Sequence, residues 1–152
     1  MVAKTTQIIL FVFLIVSVFV AFVFALRMFT QPVGTPPVYS FLDKTVTVEA
    51  GTYNVYNVSI PSQATGAQVT GHFNVTTGDG DIAVYVMDSV NLDKWQNGQN
   101  PSMYYNSGEA TEGSIDFNLT SGGTYCLVLD NTFGVNSPKN VTVYSSYWYS
   151  PF

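Results

Sequence analysis

Gly122-Gly123-Thr124-Tyr125-Cys126-Leu127-Val128-Leu129-Asp130-Asn131-Thr132-Phe133 is the stretch from which the fold is read. Its two glycines open a turn that feeds directly into an apolar run. The run is β-branched and aromatic in character and too short for a typical helix, which predicts a strand. Tyr125, Leu127 and Leu129 fall on one side of the pleat, Cys126 and Val128 on the other. A strand apolar on both sides is central in its sheet and covered on both faces. Asp130-Asn131 breaks it, Asn131 being able to take a left-handed conformation at the strand exit, and Lys139, read as an exposed charge, begins a second long strand that runs to Tyr149.

Working outward, further strands are expected over about Thr45 to Glu49, Tyr53 to Ile60, Ala67 to Thr76, Asp81 to Asp88 and Ser114 to Thr120. Turn residues separate them: Ala50-Gly51, Pro61 to Gly66, Gly78-Asp79-Gly80 and Ser121-Gly122-Gly123. This spacing predicts an all-β domain, one β-sandwich or jelly roll of about seven or eight antiparallel strands. The connection from Ser89 to Gly113 is the irregular part. Asn91 to Gly98 reads as a short helical turn ended by Gly98.

Ahead of the sandwich, Ile8 to Leu26 carries no charge and is apolar except for Ser17. As a helix it would span roughly 28 Å, close to the hydrocarbon thickness of a bilayer. The expected organisation is a leader over 1–7, a transmembrane signal-anchor α-helix over 8–29, a Pro-rich stalk over 30–38 and a β-sandwich ectodomain over 39–152. A cleaved signal peptide, with Val23-Phe24-Ala25 at the cleavage site, is the competing reading and would give a secreted domain. A filament stem of the pilin kind is a third, although the acidic residue of bacterial type IV pilins is missing around Lys4 to Ile8. The expected location is a single-pass membrane protein with a cytoplasmic N-terminus and an extracytoplasmic head.

The ten acidic residues all follow the apolar run and outnumber the basic ones. Without a basic cluster the chain is a poor partner for nucleic acid. Cys126 is the one cysteine, so no intrachain disulfide forms, and it reads as a small buried hydrophobe. Four Asn-x-Ser/Thr sequons begin at Asn57, Asn74, Asn118 and Asn140. Alternation turns each asparagine outward, with Tyr56, Phe73, Phe117 and Val141 inward, so all four are candidate N-glycosylation sites.

Catalytic signatures are missing. His72 is the one histidine and alternates onto an outer face beside Asn74, which makes neither a triad nor a zinc site. Asp79-Gly80-Asp81 fits a turn better than a calcium loop, which needs more oxygen ligands at set spacing. No P-loop or nucleophile elbow occurs. The expectation is a non-enzyme without a metal or cofactor. Candidate partner or ligand contacts are Trp95, Tyr104 and Tyr105 in the long connection. On the last strand Tyr144 and Trp148 lie opposite Val141, Val143, Tyr147 and Tyr149.

Gly123 to Phe133, followed by Ser137-Pro138-Lys139-Asn140-Val141-Thr142-Val143, resembles the end of GOLD-type (Golgi-dynamics) β-sandwich domains. There a Gly-x-Tyr strand ends in Asn-x-Phe and a Ser-x-Lys-x-Val strand follows. Trp95 to Gly98 and Tyr104 to Gly108 resemble prokaryotic exported domains of this general kind. The resemblance implies a binding or adaptor role, in protein–protein or lipid contacts, and no catalysis. The eukaryotic cargo-transport members carry a C-terminal membrane helix and a paired-cysteine disulfide, whereas this chain has an amino-terminal apolar helix and one cysteine, so a transport-receptor role does not carry over.

The function expected from the sequence is a membrane-anchored, non-catalytic accessory subunit. It would bind a protein in the membrane or at the cell surface, with the bilayer itself contacted through Ile8 to Leu26. A carbohydrate- or lipid-binding module is the alternative, using Trp95, Tyr104, Tyr105 and the terminal aromatics.

Overall fold

The computed structural model describes residues 15–23, 36–77, 80–134 and 137–150. The chain divides into two compact units, Met1–Thr35 and Pro36–Phe152. In the first, residues 15–23 form a helix, α1. The rest of the expected anchor, the leader and most of the stalk lie outside the described residues. Among the described residues no helix is long and apolar enough to cross a membrane.

The second unit is all β apart from one short helix. Its strands are β1 Val38–Val48, β2 Tyr53–Ile60, β3 Thr65–Thr77, β4 Ile82–Asp88, β5 Tyr105–Ala110, β6 Glu112–Leu119, β7 Gly123–Asp130 and β8 Lys139–Ser150. Helix α2, Ser89–Gln96, lies between β4 and β5. Two four-stranded sheets form, in the orders β1-β8-β3-β6 and β2-β7-β4-β5. All pairings are antiparallel. The pairs β1·β8, β2·β7, β3·β6 and β4·β5 are nested, as if one long hairpin had been wrapped on itself, which is the jelly-roll arrangement.

The core lies between the sheets. Val69 and Phe73 of β3, Ile115 and Phe117 of β6, and Val141, Val143 and Tyr147 of β8 meet Val84 and Val86 of β4 and Leu127 and Leu129 of β7. Every second residue points inward, as the period of the pleat requires. The central strand behaves as its sequence predicts. β7 sits between β2 and β4, and both its pleat faces are buried from Tyr125 to Asp130. Cys126 is buried on the side away from the core, with its thiol donating to Asn57 Oδ1 at 3.3 Å.

Four expectations need correction. β5 was hidden in the connection from Ser89 to Gly113: its sequence, Tyr-Asn-Ser-Gly-Glu-Ala, forms a largely exposed edge strand and so lacks an apolar period. β1 starts at Val38, inside the expected stalk and seven residues before the predicted strand. A register shift between Ser40 and Leu42 buries Phe41 and Leu42 together and breaks the alternation.

Asn131 does not take a left-handed turn, because none of the described non-glycine residues has positive φ. It is fully buried instead, and its Nδ2 donates to the carbonyls of Val48, Glu49 and Ser137, each at 3.2 Å. Lys139, expected on the surface, is also buried. Its ammonium donates to the Asp81 carbonyl and lies 4.9 Å from the centre of the Phe133 ring. Buried polar atoms need such partners, and here they clasp the β1–β2 corner to the end of β7 and the start of β8.

Candidate functional site

The outer faces of the two sheets differ, and the difference locates the candidate site. On the β2-β7-β4-β5 sheet the outward residues Ala83, Met87, Cys126 and Val128 are buried. Helix α2 packs here against β4 and β7. Asp88 caps its start, accepting from the backbone N–H of Asn91 at 2.8 Å. Gly98, at φ +67°, closes its end. There the Gly98 N–H donates to the Trp95 carbonyl and the Gln99 N–H to the Lys94 carbonyl, the paired bonds of a Schellman motif. The helical turn ended by Gly98 is therefore present, and it begins two residues earlier than expected.

This placement accounts for the aromatics of the long connection. Trp95 meets Tyr53 edge-on, with centroids 4.9 Å apart, and lies 5.9 Å from Tyr85. Tyr104 stands edge-on to Tyr125 at 5.3 Å and keeps part of its ring exposed. Tyr105 points inward, lies 6.1 Å from Phe117 and donates its hydroxyl to the Ser114 carbonyl at 2.8 Å, bridging β5 to β6 across the two sheets. Burial raises the pKa of all three packed phenols, Tyr85, Tyr104 and Tyr105. It also raises that of the Cys126 thiol, with Asp88 and Asp93 adding to the effect.

On the β1-β8-β3-β6 sheet the outward residues form rows across four strands. Val38, Trp148, Gln68 and Asn118 make one row; Ser40, Ser146, Thr70 and Asp116 the next. Asp43, Tyr144, His72 and Ser114 follow, then Thr45, Thr142, Asn74 and Glu112. Tyr144 is 47% exposed and Trp148 36%, so both rings of the last strand lie on the solvent side, as alternation predicts. His72 is exposed too and lies 5.3 Å from Tyr144.

Two shallow depressions flank this pair. One, of about 360 Å³, runs past Val38, Ser40, Asp43, Thr70, Tyr144 and Ser146. The other, of about 500 Å³, is lined by His72, Asn74, Glu112 and Ser114 with Phe73 and Gly113. Gly71 keeps β3 and β8 close at this point: a Cβ there would collide with the Tyr144 carbonyl and come within 2.6 Å of Ser145 Cα. The row beyond is stitched by the Thr45 and Thr142 hydroxyls, 2.8 Å apart, and Thr47 donates to Asn140 Oδ1 at 2.7 Å.

The structure thus separates the candidate contacts. Trp95 and Tyr105 are held by packing, Tyr104 is half engaged, and Tyr144 and Trp148 share an open face. Sequence reasoning missed Asp43, Glu112 and Asp116 as neighbours of that pair, because they come from strands whose order only the pairing reveals. The four sequon asparagines do point away from the core. Asn118 is exposed on the edge strand β6 and Asn57 on the edge strand β2, while Asn74 and Asn140 are half-buried on inner strands. Among the described residues no group of three His, Cys, Asp or Glu side chains could hold a metal ion.

No family model and no curated protein matches the chain. Among solved structures, the Yersinia pseudotuberculosis-derived mitogen is similar at 11% identity and a TM-score of 0.47, covering 76% of this chain and 88% of that one. A Bacillus endospore appendage protein, from a family of disulfide-linked pili, is similar at 15% identity and a TM-score of 0.37, covering 77% and 93%. At this level of similarity the fold rests on the strand pairing above and not on the likeness.

Proposed function

We propose that the chain is a non-catalytic assembly subunit whose jelly-roll head binds another protein through the outer face of the β1-β8-β3-β6 sheet. The observation that carries this reading is the contrast in cover. On the opposite face α2 packs against β4 and β7, whose outward Ala83, Met87, Cys126 and Val128 are buried, and the part-exposed Tyr53 and Tyr104 stand edge-on to Trp95 and Tyr125. The β1-β8-β3-β6 face leaves Tyr144 and Trp148 in solvent, and such rings are enriched where proteins meet.

The head is held at a membrane by the uncharged run Ile8 to Leu26, with the N-terminus cytoplasmic and the sandwich outside. The outward setting of the four sequon asparagines supports an exported head that could carry glycans, most accessibly at Asn118 and Asn57. A GOLD-like adaptor role agrees with this reading, since it too is binding without chemistry.

The test is purification of the full chain from native membranes. The expected result is retention in the membrane after a carbonate wash and co-purification with another subunit in fixed stoichiometry. A soluble species starting near Leu26 would remove the anchor. A solitary chain whose melting temperature rises only with oligosaccharides would replace protein binding with carbohydrate binding.

A further inference from the structure

We infer that the partner segment seated on the open face is cationic: an extended stretch of another chain carrying Lys or Arg about four residues apart. This rests on the protein-binding reading above and names the chemistry of the partner. Three carboxylates, Asp43, Asp116 and Glu112, lie among the outward positions of this sheet, and none of those positions is Lys or Arg. The head's lysines are placed elsewhere. Lys44 lies over the Tyr56 ring, Lys94 is on α2 and Lys139 is buried. Among the described residues the face therefore has no Lys or Arg of its own to neutralise its acids.

The arrangement of the acids sets the spacing. Asp43 is on β1 and Asp116 and Glu112 are on β6, the two edge strands of the sheet. Three strand spacings separate them, roughly 14 Å. An extended chain rising about 3.4 Å per residue covers that distance in about four residues. Between the acids stand Tyr144 and His72, with Trp148 two rows away. The exposed faces of Tyr144 and Trp148 suit a guanidinium or ammonium group passing over the sheet. A second copy of the same face is disfavoured as occupant, because it would set carboxylates against carboxylates.

The experiment uses the full chain in nanodiscs and a labelled peptide, Lys-Thr-Val-Thr-Lys flanked by neutral residues, read by fluorescence anisotropy at low salt. The expected result is binding that weakens roughly tenfold in the triple variant Asp43→Asn, Glu112→Gln, Asp116→Asn. Binding should also weaken in Tyr144→Ala. A control triple variant with the same charge change elsewhere, Glu49→Gln, Asp93→Asn, Glu109→Gln, should bind within about twofold of the parent. Equal weakening in both triple variants would show only the pull of net charge and overturn the inference, as would no binding at all. If a glutamate version of the peptide binds and Tyr144→Ala weakens it, the charge assignment fails and the protein-binding reading survives. If a neutral oligosaccharide binds and no peptide does, both fail.

Discussion

The two outer faces of the sandwich begin alike, as the outward pleat positions of two central strands, and end in opposite conditions. On β7 and β4 those positions include Cys126, Val128, Ala83 and Met87, all buried. On β8 and β3 they include Tyr144, Trp148 and His72, all exposed. The cause is topological. In this jelly roll every connection passes from one sheet to the other except that from β4 to β5, which joins neighbours in one sheet. That connection is long enough to fold a helix back onto its own sheet. Among the described residues no connection joins two strands of the β1-β8-β3-β6 sheet to each other, and its outward positions are mostly polar, with Tyr144 and Trp148 the large exposed rings among them.

The sharpest break in the comparison comes from its two tryptophans. Trp95→Ala removes the ring wedged on Tyr53 and Tyr85 and should cost about 2 to 4 kcal/mol. Trp148→Ala, on the open face, should cost under about 1 kcal/mol. Thermal melts of the two variants side by side decide this, and equal losses would mean that both faces are structural.

The corner clasp should weaken both faces together. Asn131→Ala strips hydrogen bonds from three backbone carbonyls in a buried site and should cost about 2 to 3 kcal/mol. Lys139→Ala should cost about 1 to 3 kcal/mol, since it leaves the Asp81 carbonyl without its donor. Urea titration would read both, and a variant as stable as the parent would remove the clasp from this account.

How much of this contrast was legible in the sequence depends on the residue. Cys126 and Val128 interleaved with Tyr125, Leu127 and Leu129 announce a strand covered on both sides. Tyr144 and Trp148 opposite Val141 and Val143 announce the open one. The outward turn of His72 was legible for the same reason. β5 was not, because an exposed edge strand need not alternate. The first half of β1 was not, because the shift near Ser40 puts two consecutive hydrophobes inside. Lys139 read as a surface charge, and only the fold supplies the carbonyl and the ring that hold it. Asp43, Glu112 and Asp116 are brought onto one face by pairings between β1, β8, β3 and β6, and sequence alternation carries no information about sheet order.

Two smaller effects sharpen the picture of the covered face. Burial, reinforced by Asp88 and Asp93, raises the Cys126 pKa, so little thiolate is present at neutral pH. A maleimide reagent should therefore label Cys126 only in denaturant, and fast labelling of the native head would contradict the cover by α2. Tyr85, Tyr104 and Tyr105 also have raised pKa values, with burial the main cause. Their ionised forms are disfavoured by folding. The stability linked to them is fully present below the ordinary tyrosine value of about 10 and falls as pH rises through the higher folded-state values. Melting temperatures measured from about pH 9 to about pH 11 should decline gradually with ionisation.

The central claim, that the open face binds a partner and the covered face only supports the fold, is tested most directly by one double variant. Tyr144→Ala with Trp148→Ala would be made in the full chain, purified from native membranes, and compared with the parent for melting temperature and for co-purifying subunit. The account predicts a melting temperature within about 4 °C of the parent and loss of the partner. A partner retained in the same stoichiometry would contradict it.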